Sequence, residues 1–236
     1  VMVKKDVHRV QILDPATGTG TFLAEAIKQI AAQVKDVAPA MWSSYVENDL
    51  IPRLHGFELL MASYAMCHMK LDMMLTDMGY RPSASPPRLG VYLTNSLEEG
   101  ERVEQTLPFA RWLSEEAKGA NTIKRDTPIM CVIGNPPYSG HSSNKGAWIE
   151  SLMADYKVSP ELKRPAQAKW LSDDYVKFIR FAQHMIDKNG EGVLGFITNH
   201  SYLDNATFVD MRRSLLRTFD AIYIIDLHGN ATKNEE

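Results

Sequence analysis

Two short stretches of this 236-residue chain hold the residue types that group-transfer chemistry needs. In one, Val132 to Gly140 reads VIGNPPYSG. An apolar run, Ile129 to Ile133, leads into Asn135, Pro136, Pro137 and Tyr138, so a carboxamide, two rigid prolines and an aromatic ring stand where a buried strand should end. Proline gives no N–H to a sheet ladder and has a fixed φ, so the chain must leave the sheet there and turn its carbonyls outward. The Asn135 side-chain oxygen and the Pro136 carbonyl oxygen are then two acceptors for both hydrogens of one NH2 group. Tyr138 offers a face on which a flat base can stack. The same dipeptides also punctuate ordinary strand-to-loop turns, so these residues alone leave both readings open.

The other stretch, DPATGTGT from Asp14, follows the apolar run Val10 to Leu13. Gly18 and Gly20 stand where glycines let a backbone approach a ligand closely. The loop has GxG without the third glycine of a dinucleotide fingerprint, and the chain lacks a GxxxxGK[ST] phosphate loop. An aspartate opening such a loop repels a pyrophosphate but accepts hydrogen bonds from an ammonium group, so a cofactor held here should carry an amino acid. Glu58, at the end of a second apolar run, can accept from both hydroxyls of a ribose. Asn95, after a third, can contact an adenine edge. S-adenosylmethionine has an amino-acid end, a ribose and an adenine, and fits this set.

These residues need elements to hold them at one edge. Strands are expected at Val10 to Leu13, Pro52 to Glu58, Leu89 to Leu93, Ile129 to Ile133, Gly192 to Thr198 and Ala221 to Leu227. Apolar residues at helical spacing predict a helix from Phe22 to Val34, a short one over Met41 to Leu50, and a methionine-rich one whose stripe is Leu60, Tyr64, Cys67, Leu71, Met74, Leu75 and Met78. A further helix opens at a Ser172 cap and closes at Gly190, and another covers Asn205 to Arg217, with Arg212, Arg213 and Arg217 as a small basic patch. Short strands alternating with longer helices predict an α/β, doubly wound, mostly parallel sheet. Right-handed crossovers place the strand ends on one edge, with ligands near the switch between the first and fourth strands.

The whole of 1–236 reads as one domain with peripheral insertions at about 98–127 and 139–171. The first is charged and carries a helix around Phe109 to Lys118. The second interleaves Lys145, Lys157, Lys163, Arg164 and Lys169 with Trp148, Tyr156 and Trp170, a mixture that suits either a nucleic-acid-facing loop or a solvated surface.

A composition of 44% hydrophobic and 23% charged residues can bury one large core. No apolar run is long enough to span a membrane, and the N-terminal VMVKKDVHRV has no signal-peptide pattern, so no membrane association and a cytoplasmic location are expected. Cys67 and Cys131 lack metal-ligand spacing, and the seven histidines show no i, i+4 pair, so no metal is expected. A net charge of −3 gives no general attraction for nucleic acid, and DNA contact must come from local basic faces or another part of a larger protein.

DPATGTGTFL at 14 to 23 resembles the cofactor loop of the amino-group DNA methyltransferases, and NPPY at 135 to 138 matches their catalytic motif. The order, cofactor loop first, is similar to that of N6-adenine methyltransferases. FELLMASYA, LTNSLEE, KWLSDDYVKFIRFAQ, GFITNHSYLDN and IIDLHGN look like the methyltransferase part of single-polypeptide, ATP-dependent Type ISP restriction-modification enzymes. The resemblance implies a Rossmann-like sheet of the S-adenosylmethionine-dependent methyltransferase type, truncated at both ends. It implies catalytic roles for Asn135, Pro136, Pro137 and Tyr138. It places Asp14, Ala16, Thr17, Gly18 and Gly20, with Thr21 and Phe22, at the methionine end of the cofactor. Glu58 with Leu59 falls at the ribose, and Asn95 with Ser96 and Phe178 at the adenine. Thr17 stands where the family usually has Cys, and Asn95 where many relatives have Asp; the uncharged amide makes a weaker acceptor.

The implied reaction is methyl transfer to the N6 amino group of an adenine flipped out of double-stranded DNA. The implied partners are covalently linked nuclease, helicase-like and target-recognition domains, without which the fragment should be weakly active or inactive. Alternatives are methylation of a protein glutamine or of RNA, or a non-catalytic nucleic-acid-binding module of the same fold. A dehydrogenase is disfavoured by the absent third glycine.

Overall fold

Apolar runs too short for helices become a sheet once neighbouring backbones take up their N–H and C=O groups. The computed structural model describes residues 10–35, 37–99, 108–138, 142–164 and 168–227. Within them β1 (Gln11–Asp14), β2 (Leu54–Glu58), β3 (Gly90–Leu93), β4 (Ile129–Gly134) and β5 (Val193–Phe196) form one sheet in the order β3-β2-β1-β4-β5. Every pairing is parallel. The C-terminal ends of all the strands therefore share one edge, and the order reverses between β1 and β4, where the sequence pattern predicts the site.

Seven α-helices are described: α1 (Thr21–Val34), α2 (Trp42–Tyr45), α3 (Met61–Asp77), α4 (Pro108–Asp126), α5 (Ala147–Met153), α6 (Asp174–Asn189) and α7 (Val209–Thr218). They cover both faces. Ile12 and Leu54 pack with Leu23 and Ile27 of α1 and with Cys67, Leu71 and Leu75 of α3. Leu13, Phe57 and Val132 point the other way, into a cluster with Ala120 and Ile123 of α4, Ile149 of α5, Phe181 of α6 and Met211 of α7. Neighbours such as Ile12 and Leu13 serve opposite cores because successive strand side chains point to opposite faces. Each fully buried side chain of this kind contributes about 1.5–3 kcal/mol.

The structure corrects several expectations. Ala221 to Leu227 is not a strand: it takes no place in the sheet formed by the described residues, and Tyr223 and Ile225 are 92% and 86% exposed. Strand propensity needs a partner ladder, and none is offered to this segment. The segment expected to carry a peripheral helix holds a crossover helix of the sheet, α4, which runs on to Asp126. It buries Ala120 and Ile123 against the core. Its charges misled the sequence reading because they are satisfied internally: buried Glu116 accepts from Arg88 Nη2 at 2.5 Å and from the Leu93 N–H of β3 at 2.9 Å.

The stretch that reads as a polar loop is likewise anchored by Ile149, Met153, Tyr156 and Leu171, all buried, while Lys169 and Trp170 remain outside. The strand expected from Pro52 begins at Leu54, since Ile51–Arg53 is a 3-10 turn. The cap of α6 is Asp173; Ser172 closes the preceding 3-10 turn, Lys169–Ser172. On α3 the stripe residue Leu60 is exposed at the N-cap, and Met66, Met69 and Met73 lie on the solvent side. Arg212 is spent on the carbonyls of Tyr202 and Asn205, and Arg213 pairs with Asp210, so the predicted basic patch is partly committed. Residues 1–9, 36, 100–107, 139–141, 165–167 and 228–236, with the calls that fall on them, lie outside the described residues.

Candidate active site

The loop after β1 is fastened at nearly every residue. The Asp14 carboxylate folds back, its Oδ1 accepting the Ala16 N–H at 3.0 Å, while Thr17 Oγ1 donates to the Asp14 carbonyl at 2.9 Å. The Thr17 N–H donates to the Phe57 carbonyl at the end of β2 (3.0 Å), and the Ser96 hydroxyl beyond β3 donates to the Pro15 carbonyl (2.5 Å). Thr17 fills its place through backbone and hydroxyl bonds. Gly18 and Gly20 have φ of +55° and +80°, a region that side chains rarely adopt. At Gly20 a Cβ would also lie 2.6 Å from Cys67 Sγ, whereas at Gly18 nothing stands within 4 Å, leaving open space over the loop.

Glu58 already has two tasks. Its Oε2 accepts the Gly18 N–H at 2.8 Å and its Oε1 the Leu60 N–H at 2.7 Å. Each carboxylate oxygen keeps a further lone pair, so both can still accept hydroxyl hydrogens. Thr21 and Leu59 are exposed beside this loop, and Ala16 and Phe22 half-buried.

Asp14 is the electrostatic oddity. It is fully buried, and its Oδ2 has no hydrogen-bond partner among the described residues. Burial pushes its pKa up to about 7, partly offset by the Ala16 hydrogen bond and reinforced by the charge of Glu58. An orphaned buried carboxylate oxygen beside an open glycine loop fits a cationic donor such as an ammonium group.

The end of β4 lies directly against this carboxylate. Glycine at 134 leaves room for it, since a Cβ would stand 2.8 Å from Asp14 Oδ1 and force the carboxylate to shift. The next residue is Asn135. The two sequence stretches thus meet at one rim of the sheet, between β1 and β4. Asn135, Pro137 and Tyr138 are exposed and Pro136 is buried. The Tyr138 hydroxyl lies 2.7 Å from Asn135 Oδ1 and 3.0 Å from the carbonyl of Ile197, beyond β5. It has one hydrogen to give to those two acceptors.

Residues to which the sequence pattern gave no catalytic or cofactor role complete the rim. Tyr175 of α6 meets Tyr138 edge-on at 6.2 Å and Tyr202 at 6.4 Å, so three tyrosines support the NPPY side. Lys124 of α4 donates to the carbonyls of Asn95 (2.7 Å) and Glu98 (2.8 Å), clamping the loop beyond β3. Burial pushes its pKa down to about 8 against the opposing pull of Glu98, and a neutral amine still has hydrogens for both carbonyls. A cleft of about 530 Å³ lined by Thr94, Leu97, Lys124 and Trp148 opens beside this clamp. Nothing in one-dimensional spacing marks Lys124, Tyr175 or Tyr202, because each reaches the site from an element distant in the chain.

Asn95 is more committed than a simple adenine contact requires. Its Oδ1 accepts the Leu97 N–H at 3.0 Å, and its Nδ2 donates to Glu98 Oε1 (3.0 Å) and Asn144 Oδ1 (2.9 Å). Phe178 belongs to the core, 7% exposed, which leaves only an edge for a ligand. Among the described residues no cluster of histidine, cysteine, aspartate or glutamate could hold a metal ion, and no helix is long and apolar enough to cross a membrane.

A Rossmann-like sheet with a glycine loop and an Asn-Pro-Pro-Tyr turn at its switch point defines a class that comparison makes specific. The profile of the Eco57I restriction-modification methylases matches residues 91–232, and the chain belongs to that family. It is 24% identical to the Type II methyltransferase M.BstVI of Geobacillus stearothermophilus over 98% of its length, which is 36% of that protein. Among solved structures it resembles a nuclease-deletion mutant of the Type ISP restriction-modification enzyme LlaGI in complex with a DNA substrate mimic. There the TM-score is 0.71 and the identity 27%, over 91% of this chain and 17% of that one. The ATP-dependent Type ISP enzyme LlaBIII bound to DNA matches with a TM-score of 0.68 and 25% identity, over 90% and 14% of the two chains. A DrdV–DNA complex gives 0.67 and 27%, over 97% and 21%. The chain therefore spans about a third of its curated relative and a smaller share of each solved one.

Proposed function

We propose that these residues form a methyltransferase domain that moves a methyl group from S-adenosylmethionine to the N6 amino group of an adenine turned out of DNA. The observation that carries this reading is the close approach of the Asp14 carboxylate to Gly134, which sets the glycine loop after β1 beside the NPPY turn after β4. When bound, S-adenosylmethionine supplies an electrophilic methyl on a sulfonium. Asp14, Ala16, Thr17, Gly18 and Gly20 would hold its methionine end, Glu58 its ribose, and Asn95 its adenine.

The chain's own work is positioning. An exocyclic amino nitrogen is a poor nucleophile because its lone pair is delocalised into the ring. Asn135 Oδ1 and the Pro136 carbonyl take its two hydrogens and draw the nitrogen toward a tetrahedral shape, which frees the lone pair. Asn135 Oδ1 can do this while it accepts the Tyr138 hydroxyl hydrogen, because an amide oxygen has two lone pairs. The new bond is N6 to methyl carbon, the bond broken is carbon to sulfur, and the acidified nitrogen then loses a proton to water. No strong base is required, and orientation supplies most of the rate. Flipping the base costs a few kcal/mol of unstacking, which Tyr138 and its supporting rings help recover.

DNA is preferred as substrate because the named structural relatives are in complex with DNA or a DNA substrate mimic, two of them Type ISP restriction-modification enzymes. In the same reading, nuclease, helicase-like and recognition parts belong to a larger parent chain. The test is tritiated methyl incorporation by the intact protein, offered DNA, RNA and a glutamine-bearing protein, with Asn135→Ala as control. Label in adenine N6 of DNA that disappears in Asn135→Ala is the expected result. Label only in RNA or protein, or full transfer by the variant, overturns it.

A further inference from the structure

Beyond Asn95 runs a chain of hydrogen bonds whose direction is set at its far end. Asp174, 8% exposed in the first turn of α6, accepts from Asn144 Nδ2 at 2.9 Å. A carboxylate only accepts, so Asn144 must turn its NH2 toward Asp174 and its oxygen toward Asn95. Asn144 Oδ1 in turn takes a hydrogen from Asn95 Nδ2 at 2.9 Å, and Glu98 takes the other at 3.0 Å. Both amide hydrogens of Asn95 are then spent among the described residues. Its oxygen, holding only the Leu97 N–H, keeps one lone pair.

Asn144 is itself held on three sides. Its N–H donates to Ser142 Oγ at 3.0 Å, and its carbonyl accepts from Lys177 Nζ. Lys177 is 1% exposed and bridges to Ser142 Oγ at 3.1 Å and to Glu150 at 3.4 Å. A buried lysine with that many partners fixes the segment following the NPPY turn onto α6.

We infer that Asp174 and Asn144 are positioning residues that lock the Asn95 amide with its oxygen toward the cofactor base, so that the site selects a ring bearing an amino donor. This rests on the proposed place of adenine beside Asn95. It explains how an amide can stand where many relatives carry an aspartate: the relay, together with the Leu97 N–H and the Glu98 carboxylate, denies it the flipped orientation, and Asn95 acts as an acceptor only. It also joins the β3 loop to the segment after β4, so selection of the nucleoside and placement of the NPPY turn share one support.

The test is calorimetric titration of the intact protein with S-adenosylhomocysteine and with its inosine counterpart, whose ring presents a carbonyl oxygen in place of the amino group. The wild type should prefer the adenosine form. Asp174→Asn, which removes the charged anchor of Asn144 and leaves the Asn95 amide held only by Leu97 and Glu98, should reduce that preference by about fivefold or more. In an Asn95→Asp background, where either orientation presents an acceptor, Asp174→Asn should change the preference by less than about twofold. Should Asp174→Asn not fold, Asn144→Ala, on a half-exposed segment, is expected to give the same pattern. Unchanged preference in the single variants, or an equal loss in both backgrounds, overturns the relay alone. Failure of the wild type to bind either nucleoside overturns the cofactor reading and the relay with it.

Discussion

The two loops that meet between β1 and β4 are built on opposite plans. The Asp14 loop is buried and stitched to β2 and β3 by the bonds of Thr17, Gly18 and Ser96, with one carboxylate oxygen left over. The NPPY turn is exposed at Asn135, Pro137 and Tyr138, and its side chains are held chiefly by one tyrosine hydroxyl. In the proposed reading, the difference tells where each ligand would be met. A small, invariant cofactor suits a rigid, prepaid loop, whereas a base arriving from a duplex needs acceptors that can be uncovered on arrival.

Breaking each loop should therefore fail differently. Asn135→Ala is expected to lower methyl transfer by about a thousandfold while leaving cofactor affinity within about twofold, because its oxygen meets only the target amine. Rapid-quench single turnover and calorimetry separate the two. Glu58→Gln should do the reverse. A carboxamide has one acceptor oxygen for the two N–H groups of Gly18 and Leu60, so one donor is left unpaired and cofactor affinity should fall about thirtyfold, with a smaller change in saturated turnover.

Asp14 sharpens the comparison through pH. With its pKa raised from 3.8 to about 7, the folded protein keeps a proton that the unfolded chain loses, so this group's contribution to stability falls as pH rises through that window and is level above it. That is opposite to a salt-bridged carboxylate. A bound ammonium wants the charged form, so cofactor affinity should weaken about fivefold from pH 7 to pH 6, and Asp14→Asn should bind weakly with that step flattened. The smallest effect is expected of Tyr138→Phe. It keeps the ring and uncovers Asn135, so transfer should change by no more than about threefold, with a slight loss in base stacking read from the KM for DNA.

Much of this was legible in one dimension. The strand ends carrying Asp14, Glu58, Asn95 and Asn135 were read correctly, since turn residues after apolar runs report local geometry. α4 was misjudged because Glu116 and Lys124 read as solvated charges, although tertiary partners bury both. Ala221 to Leu227 was misjudged for the converse reason: its β-branched and aromatic residues state a preference that only a neighbouring strand can satisfy.

The sequence by itself determined the two loops, their residue types and the parallel α/β alternation that must bring them to one edge, because these follow from local conformational preference and crossover handedness. Tertiary structure alone decided that Asp14 would touch Gly134, that Lys124 would clamp the β3 loop, and that Asp174 would orient Asn95 through Asn144. Hydrogen-bond direction and burial are properties of neighbours distant in the chain, and no spacing rule encodes which neighbours those will be.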